Sequence, residues 1–386
     1  MGKLSAYAAL AQPAAADQLL ILDTSDTSMS LAGTDKKVAV GTLLPACVVQ
    51  PTGDTTGAAD TAAISAAITA LPNGGTVMLG PGNFYLTASA GAVAVTLPAQ
   101  TTAGTQGGYP VNLLGCGAAT VVFVVGNCTG ISCHRTATYG AQFGLASPTQ
   151  ACSQIRDFVL DGTNATSSAI GLDYGDGSGF DIKLRAQNFT AASTIAVQQI
   201  NRTFWTEKSD AWLELYNNAQ CLVITNLQNI TGAAHSVEYC DYRLTLWLAA
   251  GQKGVQILHG SNAGGSRFWF RGNCSSLPVG QTTAGCGYGV FTITGDDGSG
   301  VPVNDEYSRI YGGHLAGKIE GNDGNGQGGG VYPGFLWTGT SVHNGLINVT
   351  GSILHSVGNS QITSSTITFN GGISGDTTLS AARSTW

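Results

Sequence analysis

The stretch TGDTTGAADTAAISAAITALPNGGTVMLGPGNFYL, residues 52–86, constrains the fold more than any other part of the chain. Asp60 has the chemistry of a helix N-cap, and Ile64, Ile68 and Leu71 follow at i, i+4 and i+7 on one helical face. Pro72 and Asn73-Gly74-Gly75 stop that helix, so it is expected over 60–71. TVMLG then has the pattern of a short strand, Pro81-Gly82 that of a turn, and NFYLT that of a second strand. A single small-residue helix therefore stands directly before a run of strands.

From Val111 onward the strand-sized segments recur: VNLLGCG, TVVFVVGN, IRDFVLDG, FDIKLRAQNF, CLVITNLQNI, YRLTLWLA, GVQILHG, RFWFRGN, GVFTITG and GLINVTG. Many end in Gly, Asn or Asp, residues that tolerate the positive φ of tight corners. Gly supplies 55 of 386 residues without a G-x-y period, which excludes collagen. With 43% apolar residues the chain has ample surface to bury, which argues against disorder. Spacings this irregular do not suit a propeller or a leucine-rich repeat; they suit a parallel β solenoid whose rungs differ in corner length. Such a solenoid exposes the core and strand edge of its first rung, and an amphipathic helix just before that rung covers them.

Residues 1–46 read as a separate small module of short strands and Asp/Ser/Thr/Gly turns, with too little core to stand alone. The opening MGKLSAYAALAQPAAAD imitates a signal peptide, but its apolar run is Ala-rich and weak, and the expectation is synthesis in a cytoplasm without export. A formal charge of −7 and the lack of a basic stripe argue against nucleic acid or an anionic membrane surface as partner. No apolar run approaches the length of a transmembrane helix. The nine cysteines are odd in number and scattered, mostly beside β-branched runs, as buried free thiols are. CTGISCH, with Cys128, Cys133 and His134, lacks the second half of a zinc motif.

The GD…T…ADTAAISAAITAL…GGTVMLGPGNFYL pattern resembles the entry segment of right-handed parallel β-helix proteins of the pectate-lyase-like group, which includes polysaccharide lyases, polygalacturonases and phage tailspikes. The N-terminal AADQLLILDTSDTSMSLAGTDKKVAVGTLL is similar to the virion-proximal segment of phage tail fibre and tail tip proteins. The middle region, from GNCTGISCHRT through GLDYGDGSGFDIKLRAQNFT and FWTEKSDAWLELYNN to GQKGVQILHG, resembles β-helix tail-associated proteins of phages and prophages of actinobacteria. The resemblance implies a fold and not a reaction. It implies a virion tail component, made in the host cytoplasm and acting outside the host cell. It also implies a homotrimer that meets other tail proteins through 1–46 and a host surface polysaccharide through the solenoid.

Catalytic candidates are incomplete. Elimination on an acidic polysaccharide needs carboxylate-held Ca²⁺ with an Arg or Lys base, and hydrolysis needs two carboxylates at a set separation. The lyases' Asp cluster and paired arginines are absent, as is the polygalacturonase order N-T-D, D-D, G-H-G, R-I-K. A partial echo stands in Asp296 and Asp297 of TITGDDGSG and His314 of YGGHLAGKIEG, which also carries Lys318 and Glu320. D-D-G-S-G is equally a good turn. Asp173 and Asp176 of DYGDGSG form a Ca²⁺ candidate or an ordinary Asx-rich corner; Asp157 and Asp161 flank FVL; Asp305 and Glu306 precede Arg309.

Five tryptophans, Trp205, Trp212, Trp247, Trp269 and Trp337, lie within or next to strand segments, and rings exposed on a long β face would stack on sugars. In RFWF, Phe268 and Phe270 share one face and Trp269 takes the other. Trp205 and Trp269 are the carbohydrate-binding candidates; core or trimer contact is the plainer alternative.

The expectation is an all-β, right-handed parallel β-helix spanning 47–345, with its capping helix at 60–71. A virion-attachment module precedes it at 1–46, and 346–386 supply last rungs or a trimer clamp. The expected role is tail fibre or tailspike-like binding of host polysaccharide; the alternatives are a depolymerase of the same fold and a purely structural tail tip component.

Overall fold

The computed structural model describes residues 46–71, 74–98, 110–134, 153–202, 205–227, 237–249, 252–258, 261, 263 and 265–275. It also describes strands at 18–23, 34–39, 291–294, 309–311, 314–322, 335–338, 341–343, 346–350, 354–357, 361–363, 366–370, 373–374 and 384–385. Strands β1 (Gln18–Asp23) and β2 (Thr34–Ala39) form an antiparallel pair. Every other pairing between strands is parallel, beginning where β3 (Ala46–Val49) meets the first rung.

The first two rungs have three strands each: β4 (Gly75–Leu79), β5 (Gly82–Thr87) and β6 (Val93–Thr96), then β7 (Val111–Leu114), β8 (Thr120–Val125) and β9 (Thr129–His134). The third has two, β10 (Gln154–Asp161) and β11 (Ile170–Gly175), followed by β12 (Asp181–Gln187) and β13 (Ile195–Asn201). The next rungs add a two-residue strand at one corner: β14 (Thr206–Glu207), β15 (Asp210–Tyr216) and β16 (Gln220–Asn226), then β17 (Val237–Glu238), β18 (Asp241–Leu248) and β19 (Lys253–Ile257). Strand β20 (Arg267–Ser275) opens the seventh rung. The first sheet runs β3-β4-β7-β10-β12-β15-β18-β20 and continues through strands 314–322, 346–350, 366–370 and 384–385. The second runs β6-β9-β11-β13-β16-β19 and continues through 291–294, 335–338, 354–357 and 373–374. Successive strands of one sheet stacked in parallel register, one per turn of chain, make this an all-β parallel β-helix; βαβ-like parallel crossovers are right-handed almost without exception.

Side chains stack in columns along the axis because, apart from a bulge between Arg156 and Val159 of β10, the register of the first sheet holds from rung to rung. One inward column reads Leu113, Ile155, Ile182, Ala211, Tyr242, Phe268, and each of these side chains is essentially excluded from water. Tyr242 and Phe268 lie ring on ring, centroids 4.6 Å apart and nearly parallel. Full burial of each of Leu113, Ile155, Ile182 and Phe268 contributes about 1.5–3 kcal/mol, so the column acts as a continuous apolar spine.

The helix α1 (Ala58–Thr69) closes the first rung, packing on β3, β5 and β6 with Ile64 and Ile68 buried. Two details differ from the sequence expectation. The helix starts at Ala58, after Gly57 in the left-handed conformation, and ends at Thr69. Asp60 is not its cap. The capping carboxylate is Asp54, which accepts the Ala59 and Thr56 N–H groups at 2.9 Å each. Asp60 is fully buried and accepts the Thr52 and Tyr85 N–H groups, both at 2.8 Å, tying the helix to the chain before it and to β5. A buried carboxylate with backbone donors on both oxygens is satisfied where a solvated cap would leave it half used.

The two sheets differ in what they show to the outside. In the first, β12, β15 and β18 alternate buried and open residues. In the second, β9, β11, β16 and β19 are buried almost throughout, on both faces. Among the described residues, the outer face of the first sheet is therefore the extended β surface open to a ligand.

Candidate functional site

The outward columns of the first sheet carry an ordered set of aromatic and charged residues. One reads Arg156, Lys183, Trp212, Arg243, Trp269; the next Arg185, Glu214, Thr245, Arg271; a third Gln187, Tyr216, Trp247. Trp212, Trp247 and Trp269 are 46%, 51% and 41% exposed, so each presents a ring to solvent from a rigid strand. Trp212 and Trp269 are two strands apart, about 9.6 Å by the spacing of β-strands.

Neighbouring side chains hold these rings in place. The Lys183 Nζ lies over Trp212, 5.2 Å from the ring centroid, and the Arg185 guanidinium lies over Tyr216 at 5.0 Å. Tyr216 in turn stacks on Trp247, centroids 6.1 Å apart. Arg185 donates from both Nε and Nη2 to Glu214 Oε2, at 3.1 and 3.0 Å. Arg156 Nη1 donates to Asp181 at 2.8 Å, Arg267 pairs with Asp241 at 3.1 Å, and Arg271 donates to Thr245 at 3.2 Å.

At one end of this face the sheet changes its build. Strand β10 pairs with β7 through Ile155 and Arg156 and with β8 through Val159, Leu160 and Asp161. Two strands of the rung below thus merge into one, and the mismatch is absorbed by a bulge at Asp157, whose φ is 61°. Gly115 makes the merger possible: its N–H donates to Arg156 O at 2.9 Å, and a Cβ there would stand 2.4 Å from Asp157 O. The bulge, the Gly117–Ala118 turn, Lys183, Arg185, Trp212 and Glu214 enclose a groove of about 240 Å³. Bulges commonly re-aim a side chain beside a functional site; here the side chain is the half-exposed carboxylate of Asp157, 3.8 Å from Lys183 Nζ. A groove with an exposed indole, two carboxylates and two cations is able to stack a sugar ring and hydrogen-bond its hydroxyls.

A second cluster, with buried His134, Asp173 and Asp176, lies at the C-terminal ends of β9 and β11. His134 Nδ1 lies 3.2 Å from Asp176 Oδ2, and its Nε2 makes an ion-pair contact of 3.1 Å with Asp173 Oδ1. Arg202 completes it, with its guanidinium on Asp173 and its backbone N–H 2.7 Å from Asp176 Oδ1. Burial opposes charge on the imidazole, but the carboxylates of Asp173 and Asp176 outweigh it, and the His134 pKa is raised. Of the two alternatives the sequence left for Asp173 and Asp176, a Ca²⁺ pair or an Asx-rich corner, the structure shows that the cations they face are an imidazole and a guanidinium. Among the described residues, no group of three or more His, Cys, Asp or Glu is placed to hold a metal ion. Cys128 and Cys133 are likewise buried and free. Burial pushes the Cys133 thiol up to about 12, which disfavours the thiolate a metal needs.

The other sequence candidates are placed unevenly. Trp269 stands on the open face, with Phe268 and Phe270 inward as the alternation predicts. Trp205 stands off the aligned strands, half-buried between β13 and β14. His314 begins strand 314–322 in register with Arg267, and its side chain lies outside the description. Asp296 and Asp297 lie outside the described residues. The sequence reading named Asp157 and Trp212 separately but missed Lys183 and Arg243 and the column that joins them. The column has a signal: DIKLRAQ, DAWLELY and DYRLTLW each open on Asp and align residue for residue.

No protein-family model matches this chain, and no curated protein matches it. Among solved structures, it is similar to an alginate lyase from Paenibacillus sp., at 11% identity over 88% of this chain and 97% of that one, TM-score 0.37. It is also similar to the A-module of mannuronan C-5 epimerase AlgE6 from Azotobacter vinelandii, at 15% identity over 84% and 95%, TM-score 0.25. A third is an endo-xylogalacturonan hydrolase from Aspergillus tubingensis, at 10% identity over 88% and 100%, TM-score 0.30.

Proposed function

We propose that the protein binds a host cell-surface or cell-wall polysaccharide along the outer face of its first sheet, as a trimeric tail fibre or tailspike-like component of a phage virion attached through residues 1–46. The observation that carries the binding role is the column in which Trp212 and Trp269 alternate with Lys183 and Arg243. Stacking platforms need rigid, exposed rings with polar donors between them, and a β-helix face supplies both at a fixed pitch. The virion assignment rests on the resemblance of the N-terminal and middle segments.

A second reading, a depolymerase, draws on one feature: Asp157 and Glu214 face the same groove beside Trp212. Paired carboxylates are the minimum for glycosidic hydrolysis. Against it, both carboxylates are already engaged, Glu214 by Arg185 at 3.0 Å and Asp157 near Lys183 at 3.8 Å. Incubation with host wall polysaccharide, scored for retention and for new reducing or unsaturated ends, separates the readings. Retention without release is the expected result. Release that is lost in Asp157→Asn and Glu214→Gln would establish the depolymerase instead, and neither retention nor release would leave a structural role.

A further inference from the structure

The charge on the open face decides what class of glycan suits it. Among the described residues six cations stand there: Arg156, Lys183, Arg185, Arg243, Arg267 and Arg271. Six carboxylates stand among them: Asp157, Asp161, Asp181, Asp210, Glu214 and Asp241. They are interleaved as ion pairs and not segregated: Arg156 with Asp181, Arg185 with Glu214, Arg267 and Arg243 with Asp241, Lys183 near Asp157. Two of the cations, Lys183 and Arg185, are also drawn onto aromatic faces. A polyanion approaching this surface would meet a carboxylate beside nearly every cation, on a chain whose formal charge is −7.

The same pairing suits uncharged sugars. A guanidinium has five N–H donors in a fixed fork, so pairing with one carboxylate orients the group and leaves donors for hydroxyl oxygens. The carboxylates accept from hydroxyl hydrogens, and the indoles cover the apolar faces of the rings. Resting on the reading that this face binds polysaccharide, we infer that its ligand is a neutral glycan, held by stacking on Trp212 and Trp269 and by hydrogen bonds from oriented ion pairs, and that uronate- or phosphate-bearing chains are excluded.

The test is retention of the full-length protein on glycan-coupled beads at low and at high sodium chloride. The probes are neutral arabinogalactan, xyloglucan and dextran, the polyanions polygalacturonate and alginate, and bacterial cell-wall glycan divided by anion exchange into neutral and acidic pools. The expected result is retention on neutral probes that changes less than about twofold with salt, because no counterions are released. Trp212→Ala with Trp269→Ala is expected to lower it about tenfold, the equivalent of about 1.4 kcal/mol, with an unchanged unfolding temperature. Trp212→Tyr, which keeps a ring, is expected to recover most of it. Retention on polyanions alone, falling more than about tenfold with salt, overturns the inference and leaves the binding role standing. Retention on no probe by the wild-type protein overturns both.

Discussion

Lys183 lies over the indole of Trp212 from the adjacent strand, 5.2 Å from the ring centroid. The contact is lateral along the sheet, so the ring is braced from the β12 side while 46% of Trp212 remains exposed. A cation–π contact at an exposed site is worth about 0.5–1 kcal/mol. Lys183→Met keeps the apolar stem and removes the charge. It is expected to weaken glycan retention about threefold by loosening the ring, with a shift in tryptophan emission and a loss of stability of no more than about 1 kcal/mol.

Gly115→Ala tests the merger of two strands into one. Its Cβ would stand 2.4 Å from Asp157 O and 2.7 Å from the Phe158 Cβ, and backbone cannot step aside as a flexible side chain does. The cost is expected to be about 1–3 kcal/mol, or more if β10 shifts. Denaturant unfolding measures it. A reshaped groove would also lower glycan retention in the part of the variant that remains folded.

Asp60→Ala removes, from a fully buried side chain, the acceptor of two part-buried backbone N–H groups, those of Thr52 and Tyr85. Leaving buried donors unpaired costs about 1–3 kcal/mol each. Chemical denaturation should therefore show a loss of a few kcal/mol. Asp54→Ala, at an exposed cap, should cost distinctly less.

The pH dependence of stability follows from His134. Its folded pKa is raised, so the imidazolium between Asp173 and Asp176 contributes stability that is fully present below the unfolded value of about 6.5 and is lost as pH rises through the folded value. Thermal unfolding of the wild-type protein should therefore fall on the alkaline side of that range. His134→Gln should flatten the profile there, since no group titrates between the two carboxylates. A profile unchanged by the substitution would mean that the cluster does not carry it.

The fold was legible in the sequence because a parallel β-helix repeats one local pattern. Short alternating segments ending in Gly, Asn or Asp declare strands and corners wherever they stand, and a helix whose Ile64 and Ile68 share a face needs an apolar end to cover. The direction of the faces was legible too: in RFWF the alternation alone sends Trp269 opposite to Phe268 and Phe270.

What the tertiary structure decided is which residues of different rungs become neighbours. Lys183, Trp212 and Trp269 are separated by a full turn of chain or more, and corner lengths vary, so only the stacked register puts them in one column. The bulge at Asp157 belongs to the same class. It arises because a three-strand rung lies under a two-strand one, a mismatch between layers that no local window of sequence contains. Asp60 shows the reverse error: its position predicts a cap, yet burial against β5 gives its carboxylate better donors than a helix end would. Local chemistry determined the elements; inter-rung packing, which acts over distances of a whole turn, decided the site.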